Sequence, residues 1–211
     1  MLKLYRAVKS VGFKEYIAYP ESRRIPGNVP YLVDNLWEWL RPERFPSRRK
    51  AAYASPTPEL ARAGAGVMAD NCADFVVATV TLPRTAKIAQ IQDSDARLHS
   101  DVKELPRAIL KHLGTDWTEL AVDSRLDFAP LFLPVISKEE VDHAMHRIVN
   151  DDKLGELIKK TSTFWQDAAP LTANAEQLAY AEGEIFFEAF DGYHLNRIGD
   201  AQECLEALPA G

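Results

Sequence analysis

The chain has 211 residues, of which 46% are apolar and 27% charged, so it can fold around a sizeable core, and extensive disorder is excluded. Its formal net charge of −6 argues against general binding to DNA or RNA, although a nucleic acid could still be a substrate at a local basic patch. The two cysteines give no zinc-ligand spacing, and we expect no metal site.

The N-terminal residues and the length of the apolar runs indicate where the protein acts. The first residues become charged too early for a signal peptide, and no apolar run approaches about 18 residues. We therefore expect a protein without a signal peptide or transmembrane segment. Its place of action would be the cytoplasm, either of its own cell or of a target cell.

The first half of the chain predicts strands and two helices. The strands are predicted at residues 2–9, 13–19, 51–55, 74–82 and 87–91. One helix is predicted over residues 31–40, and a second follows Thr57, which has the position of an N-cap, and runs to about residue 69. Residues 41–50 carry five basic side chains and two prolines, which predicts a solvated loop.

The second half is mainly helical over residues 101–181. Ser137 and Glu140 have the spacing of a capping box at the start of one helix. A last strand is predicted over residues 184–190. The sequence therefore predicts an α+β fold in one domain, residues 1–211, with a helical insertion at about 101–181.

The first segment that could carry chemistry is Leu4-Tyr5-Arg6-Ala7-Val8. Arg6 lies within an otherwise apolar strand, and an arginine that points inward needs an anionic partner. Its planar guanidinium suits a phosphate or a carboxylate. The alternative is that Arg6 lies on the solvent face of an edge strand.

The second segment is Tyr53-Ala54-Ser55-Pro56-Thr57. It places Ser55 at the end of a strand, beside an aromatic residue and just before a helix N-terminus, where backbone N–H groups are available to an anion. The alternative is an ordinary strand-to-helix turn capped by Thr57. That alternative accounts for Thr57 better than for Ser55.

The third segment is Glu182-Gly183-Glu184-Ile185. Two acidic residues stand two positions apart at the start of an aromatic-rich strand, which fixes the direction of Glu184 and leaves Glu182 in the preceding loop. Gly183 would allow that loop an unusual backbone angle. The alternative is a solvated acidic turn.

Taken together and in this order, the three segments resemble the ADP-ribosyltransferase superfamily with an Arg–Ser–Glu triad, as in bacterial toxins. The resemblance implies two perpendicular, mostly antiparallel sheets with NAD⁺ in the cleft between them. It implies that Arg6 binds an NAD phosphate, that Ser55 orders the cleft and hydrogen-bonds the catalytic glutamate, and that Glu184 is this glutamate. Glu182 matches the upstream acidic residue of arginine-modifying members.

The resemblance also implies a substrate-binding surface. Arg6, Ser55 and Thr57 would contact NAD⁺ together with Ala7, and Tyr53 and Tyr31 are candidates to stack on nicotinamide. Two positions depart from the family pattern: Ala7 stands where a glycine is common, and Ser55-Pro56-Thr57 replaces Ser-Thr-Ser. The proline removes a backbone donor.

The expected activity is transfer of ADP-ribose to a macromolecule, with protein arginine favoured over nucleic acid. A toxin, an effector or a phage-conflict enzyme would fit, and a neutralising antitoxin or immunity protein is a possible partner. Two alternatives stay open, an NAD⁺ glycohydrolase on the same fold and a binding domain without catalysis. The Glu182–Glu184 pair favours transfer, because hydrolysis needs no second glutamate for an acceptor.

Overall fold

The computed structural model describes residues 2–20, 22–25, 27–148 and 153–198. Within them the chain is α+β, with two antiparallel four-stranded sheets and a set of helices. The strands are β1 (Leu4–Lys9), β2 (Tyr16–Ile17), β3 (Ala52–Ala54), β4 (Phe75–Thr81), β5 (Lys87–Gln90), β6 (Ala169–Leu171), β7 (Ile185–Glu188) and β8 (Tyr193–Arg197). The α-helices are α1 (Tyr31–Leu40), α2 (Pro58–Gly64), α3 (Asp101–Leu113), α4 (Asp116–Glu119), α5 (Val122–Arg125), α6 (Lys138–Ile148), α7 (Lys153–Thr161) and α8 (Phe164–Asp167).

The chain divides into two compact units. The first unit takes its described residues from Met1–Glu21, Arg44–Asp95 and Ala169–Gly211, and it holds both sheets. The second unit, Ser22–Glu43 and Ala96–Ala168, holds every α-helix described except α2.

In the first unit, the strand order is β1-β4-β8-β2 in sheet A and β3-β7-β5-β6 in sheet B. A pair of backbone hydrogen bonds between Tyr5 and Ser55 links β1 of sheet A to the residue that follows β3 of sheet B, with N–O distances of 3.0 and 2.8 Å. The strand of Arg6 therefore lies beside the chain segment of Ser55.

The core of the first unit contains side chains from both sheets. Leu4 and Leu195 of sheet A pack in one cluster with Ile185 and Phe187 of sheet B. The rings of Phe187 and Tyr193 meet edge to face, with centroids 5.0 Å apart. Residues of alternate parity on each strand supply this cluster, as the pleat of a β-strand requires.

The second unit is organised around a buried carboxylate. Asp101, at the start of α3, is 1% exposed and accepts four hydrogen bonds from neutral donors. The donors are Trp37 Nε1 at 2.8 Å, Ser162 Oγ at 2.6 Å, the Thr163 backbone N–H at 3.1 Å and the Phe164 backbone N–H at 3.3 Å. These bonds tie α1, the end of α7 and the start of α8 to α3, which explains how the charge is tolerated in the interior.

Several sequence predictions are confirmed by helix bounds and by individual hydrogen bonds. The first helix has the predicted bounds. Thr57 caps α2 by accepting a hydrogen bond from the Leu60 N–H at 3.2 Å. The capping box is present, with Ser137 N donating to Glu140 Oε2 at 2.6 Å and Glu140 N donating to Ser137 Oγ at 3.2 Å.

The prediction of helix up to residue 181 is wrong at its C-terminal end. The helices end at Asp167, and β6 then pairs with β5. Residues 172–184 are turns and irregular structure. The sequence analysis also missed β8, in which only Tyr193 and Leu195 are buried. No helix in the described part of the chain has both the length and the apolar character needed to cross a membrane.

Candidate functional site

Strand β7 is buried on both of its faces, and each face has a different chemistry. Ile185 and Phe187 enter the core cluster, whereas Glu184, Phe186 and Glu188 alternate with them and point to the opposite side. Two carboxylates therefore stand four residues apart, with an aromatic ring between them. Their burial requires cations or hydrogen-bond donors close by.

The segment 45–49 supplies those partners. The prediction of a solvated loop over residues 41–50 is wrong for these five residues, although Glu43 and Arg44 are exposed. Ser47, Arg48 and Arg49 are 8%, 5% and 3% exposed, and Phe45 is fully buried. The basic composition suggested a charged surface, but the charges of β7 give the segment a reason to enter the interior. The local sequence does not reveal carboxylates that lie more than 130 residues away.

Arg48 forms the central ion pair of the site. Its Nη1 donates to Glu184 Oε1 at 2.9 Å, and the side chains are only 5% and 11% exposed. The guanidinium carbon lies 5.4 Å from the ring centroid of Tyr53 and 5.3 Å from that of Phe186. Aromatic contacts of this kind stabilise the cation and fix the plane from which it meets the carboxylate.

Glu188 is the second buried carboxylate on this face. Its Oε1 accepts a hydrogen bond from the Tyr19 hydroxyl at 2.7 Å, and its Oε2 accepts one from the backbone N–H of Ser47 at 2.8 Å. Sequence reasoning missed Glu188 and Arg48. The available signal for Glu188 was its even spacing from Glu184 along one strand, which puts both on one face.

Ser55 and Glu184 stand at adjoining strand ends of sheet B. The ladder between β3 and β7 ends at the pair Ala54–Ile185, and Ser55 and Glu184 are the next residue on either strand. The backbone of Ser55 bonds to Tyr5 of β1. The structure thus brings together the strand ends that the sequence analysis chose for a serine and a glutamate.

Of the two interpretations of Arg6, the structure agrees with the inward orientation. The hydrogen-bond partner of Arg6 is, however, a neutral group and not an anion. It shares the parity of the buried Leu4, and its Nη1 donates to the hydroxyl of Tyr193. The guanidinium carbon lies 5.7 Å from the Tyr193 ring centroid. Burial raises the pKa of the Tyr193 phenol, and the neighbouring Arg6 opposes part of that rise. The cation that pairs with Glu184 is Arg48.

The other predicted residues divide between framework and surface. Ala7 packs against the small apolar cluster of Val67 and Cys72, and Thr57 caps α2. Glu182 is exposed in the loop before β7. Tyr53 is partly buried and contacts Arg48, to whose carbonyl its hydroxyl donates at 3.3 Å.

Tyr31 belongs to the second unit, where it is the first residue of α1 and 39% exposed. Its contact with nicotinamide stays a prediction, as does that of Tyr53.

Gly183 is required for a steric reason and not for a backbone angle. A Cβ at this position would lie 1.8 Å from the carbonyl oxygen of Ile91. The Ile91 N–H donates to the Glu184 carbonyl at 3.0 Å, and the Glu184 N–H donates to the Asp93 carbonyl at 2.8 Å. Both backbone groups of Glu184 are therefore bonded to the segment 91–93, and the absence of a side chain at Gly183 permits that approach.

Within the residues that the structure describes, no group of three or more His, Cys, Asp or Glu side chains could hold a metal ion. Comparison of the chain with protein-family models, with curated proteins and with solved structures finds no match.

Proposed function

We propose that the chain transfers ADP-ribose from NAD⁺ to a macromolecular acceptor, with protein arginine favoured over nucleic acid. The observation that carries the proposal is the pairing of Ala54 with Ile185, which puts Ser55 and Glu184 at adjoining strand ends, beside the strand of Arg6. In the Arg–Ser–Glu transferases that the sequence resembles, a serine on one strand supports a catalytic glutamate on its neighbour. The finer fold, two perpendicular sheets around an NAD⁺ cleft, is part of the same proposal.

The chemistry follows from an ionised carboxylate at Glu184. The bond between the ribose C1′ and the nicotinamide nitrogen breaks, and nicotinamide leaves with the bonding electrons. The ribose becomes an oxocarbenium-like centre, whose positive charge a nearby carboxylate stabilises. The ion pair with Arg48 fixes the orientation of the Glu184 carboxylate.

The second half of the reaction needs an acceptor. Its nitrogen forms the new bond to C1′ and loses a proton, for which the exposed carboxylate of Glu182 is the candidate base. Glu182 precedes the fixed backbone of Glu184 by two residues, so its loop adjoins the reacting carbon in this proposal. A carboxylate here also suits pairing with an incoming guanidinium.

Arg6 has a different role in the proposal from that of Arg48. Its guanidinium has a neutral hydrogen-bond partner, Tyr193, so its charge is available to an NAD phosphate without separating an ion pair. Arg48 is already neutralised by Glu184 and is better suited to orienting that carboxylate. The biological role that we propose is that of a toxin, effector or phage-conflict enzyme, with a neutralising protein as a possible partner.

The test is incubation of the purified protein with ³²P-labelled NAD⁺ and a cell lysate. Glu184→Gln and Glu182→Gln are compared with Glu15→Gln, which makes the same change at an exposed position of the first unit. We expect a labelled macromolecule that is lost with Glu184→Gln and kept with Glu15→Gln. Glu182→Gln should weaken labelling more than it weakens release of nicotinamide.

The other outcomes separate the alternatives. Free ADP-ribose without a labelled macromolecule would identify an NAD⁺ glycohydrolase. A label on RNA or DNA would move the acceptor from protein to nucleic acid. Neither binding nor consumption of NAD⁺ would leave a binding domain without catalysis and would refute the proposal.

A further inference from the structure

Glu188 is a buried carboxylate that the proposed reaction does not use. It is 5% exposed, and both of its oxygens accept hydrogen bonds, one from the Tyr19 hydroxyl and one from the Ser47 backbone N–H. A carboxylate in the interior is costly unless its position serves packing or function. An apolar side chain would fill the same place without that cost.

The partners of Glu188 lead directly to the site. Ser47 precedes Arg48, and the Arg48 guanidinium reaches Glu184 on the same strand. Four strand residues span about 13 Å, so the segment is fastened to β7 at two well-separated points, its backbone at Glu188 and its guanidinium at Glu184. The Tyr53 hydroxyl adds a third contact, to the Arg48 carbonyl at 3.3 Å.

We propose that Glu188 is a positioning residue for the reaction of Glu184. By accepting the Ser47 N–H, it fixes the backbone from which Arg48 extends, and Arg48 in turn orients the Glu184 carboxylate. The inference rests on the proposed function for the role of Glu184. Its structural part, the dependence of the Arg48 segment on Glu188, stands without it.

The chemistry of the two bonds predicts which substitutions matter. Glu188→Met retains the volume but accepts no hydrogen bond of this kind, so the Ser47 N–H is left unpaired. Glu188→Gln can still accept from Ser47 through its oxygen, while its amide donates to the Tyr19 hydroxyl oxygen. We therefore expect Gln to restore most of what Met removes, although it lacks the charge.

The decisive experiment is a double-mutant cycle on NAD⁺ consumption. Glu188→Met and Arg48→Lys are each expected to lower kcat/KM about 10-fold, mainly through kcat, because a displaced Arg48 leaves Glu184 misoriented. If Glu188 acts through Arg48, the double variant is about as active as either single variant. Multiplication of the two effects, to about 100-fold, would show independent roles and overturn the proposal. Glu15→Met is the matched surface control.

Amide hydrogen exchange supplies a readout that does not need NAD⁺. The amides of Ser47 and Arg48 should exchange faster in Glu188→Met and at nearly the wild-type rate in Glu188→Gln. Wild-type exchange in Glu188→Met would refute the positioning role, whatever the activity. Absence of NAD⁺ consumption by the wild-type protein, combined with the expected exchange pattern, would refute the proposed function alone.

If Glu188→Met does not fold, Glu188→Gln still decides the point. A folded Gln variant with wild-type exchange at Ser47 and at least half of the wild-type kcat/KM supports the Ser47 contact as the essential one. A folded Gln variant that loses turnover 10-fold with unchanged exchange would show that the charge of Glu188 acts in some other way, and would overturn the proposal.

Discussion

Two carboxylates that are largely shielded from solvent, Glu184 in the first unit and Asp101 in the second, are held by different kinds of partner. Asp101 accepts hydrogen bonds from four neutral donors, two of them backbone N–H groups. Glu184 pairs with the guanidinium of Arg48, which packs against two aromatic rings. Burial alone therefore does not tell how a carboxylate is held, because one of these two is bonded by neutral donors and the other by a cation.

The difference has a physical basis. Backbone donors cannot turn away without unfolding the helix termini to which they belong, so Asp101 holds the second unit together at the cost of its own mobility. Arg48 meets Glu184 through a side chain that packs against Tyr53 and Phe186. That ion pair therefore depends on side-chain packing, whereas two of the bonds to Asp101 depend on the position of the backbone.

The largest expected effect comes from Gly183→Ala. The new Cβ would lie 1.8 Å from the Ile91 carbonyl oxygen, so the backbone beside Glu184 must move. We expect a loss of about 3 kcal/mol in the free energy of unfolding, together with loss of NAD⁺ turnover. Urea unfolding followed by circular dichroism measures the first quantity.

Gly64→Ala is the control for this substitution. A Cβ at this residue of α2 meets nothing within 4 Å, and alanine is favoured over glycine in helices by up to about 1 kcal/mol. Equal stability of the two variants would show that Glu184 is not held by the approach of its backbone to Ile91.

Asp101→Asn tests the carboxylate that is held by neutral donors. The amide keeps the shape of the side chain but brings an NH₂ group against donors that need an acceptor, which we expect to cost about 2–3 kcal/mol. All four tryptophans of the sequence lie in the second unit, so their fluorescence during urea unfolding reports on it directly. The exposed Asp127→Asn is the control, with an expected cost below about 0.5 kcal/mol. A similar cost for both would contradict the assigned role of Asp101.

Ser55→Ala tests whether the reaction proposed for Glu184, which is paired with Arg48, also depends on the neutral hydroxyl of Ser55. If Ser55 supports Glu184 across the ladder, we expect kcat to fall about 10-fold, which corresponds to about 1.4 kcal/mol in the transition state. The stability of the fold should change little, since Ser55 keeps its backbone bonds to Tyr5. Unchanged kcat in a variant that turns over NAD⁺ would leave Arg48 as the group that orients Glu184.

The smallest effect on the free energy of unfolding is expected from Tyr193, whose neutral phenol lies beside the cation of Arg6. Burial raises the pKa of its phenol in the folded state above the ordinary value of about 10. The protonated phenol therefore contributes to the free energy of unfolding. This contribution is fully present below the pKa of the tyrosine in the unfolded chain and is lost as the pH rises through its pKa in the folded state. The stability difference between the wild type and Tyr193→Phe should therefore shrink above about pH 10. Urea titrations at several alkaline pH values give the trend, and a difference that grows would contradict it.

Local sequence signals predicted much of the fold and part of the site. The bounds of α1, the cap of Thr57 and the Ser137–Glu140 box depend on neighbouring residues, and each is confirmed. Strand β6 was missed because its three residues include a proline and carry no alternating apolar pattern.

The site was predicted only where its residues stand at strand ends. Ser55 and Glu184 occupy such positions, directly after β3 and directly before β7, whose ends Ala54 and Ile185 are paired. Arg48 and Glu188 depend on contacts between segments more than 130 residues apart, for which the basic composition of residues 44–50 gave a misleading signal. Long-range charge compensation can only be recognised once the fold has brought the charges together.

The register of strand β7 determines both the packing of the core and the position of the two carboxylates. A slip of one residue against β3 or β5 would turn Glu184 and Glu188 into the apolar cluster and expose Ile185 and Phe187 to the guanidinium of Arg48. No partly correct pairing of this strand could keep one face and lose the other. A mispaired molecule would bury two unpaired charges and be unstable, so the carboxylates on one face of β7 favour the correct register during folding.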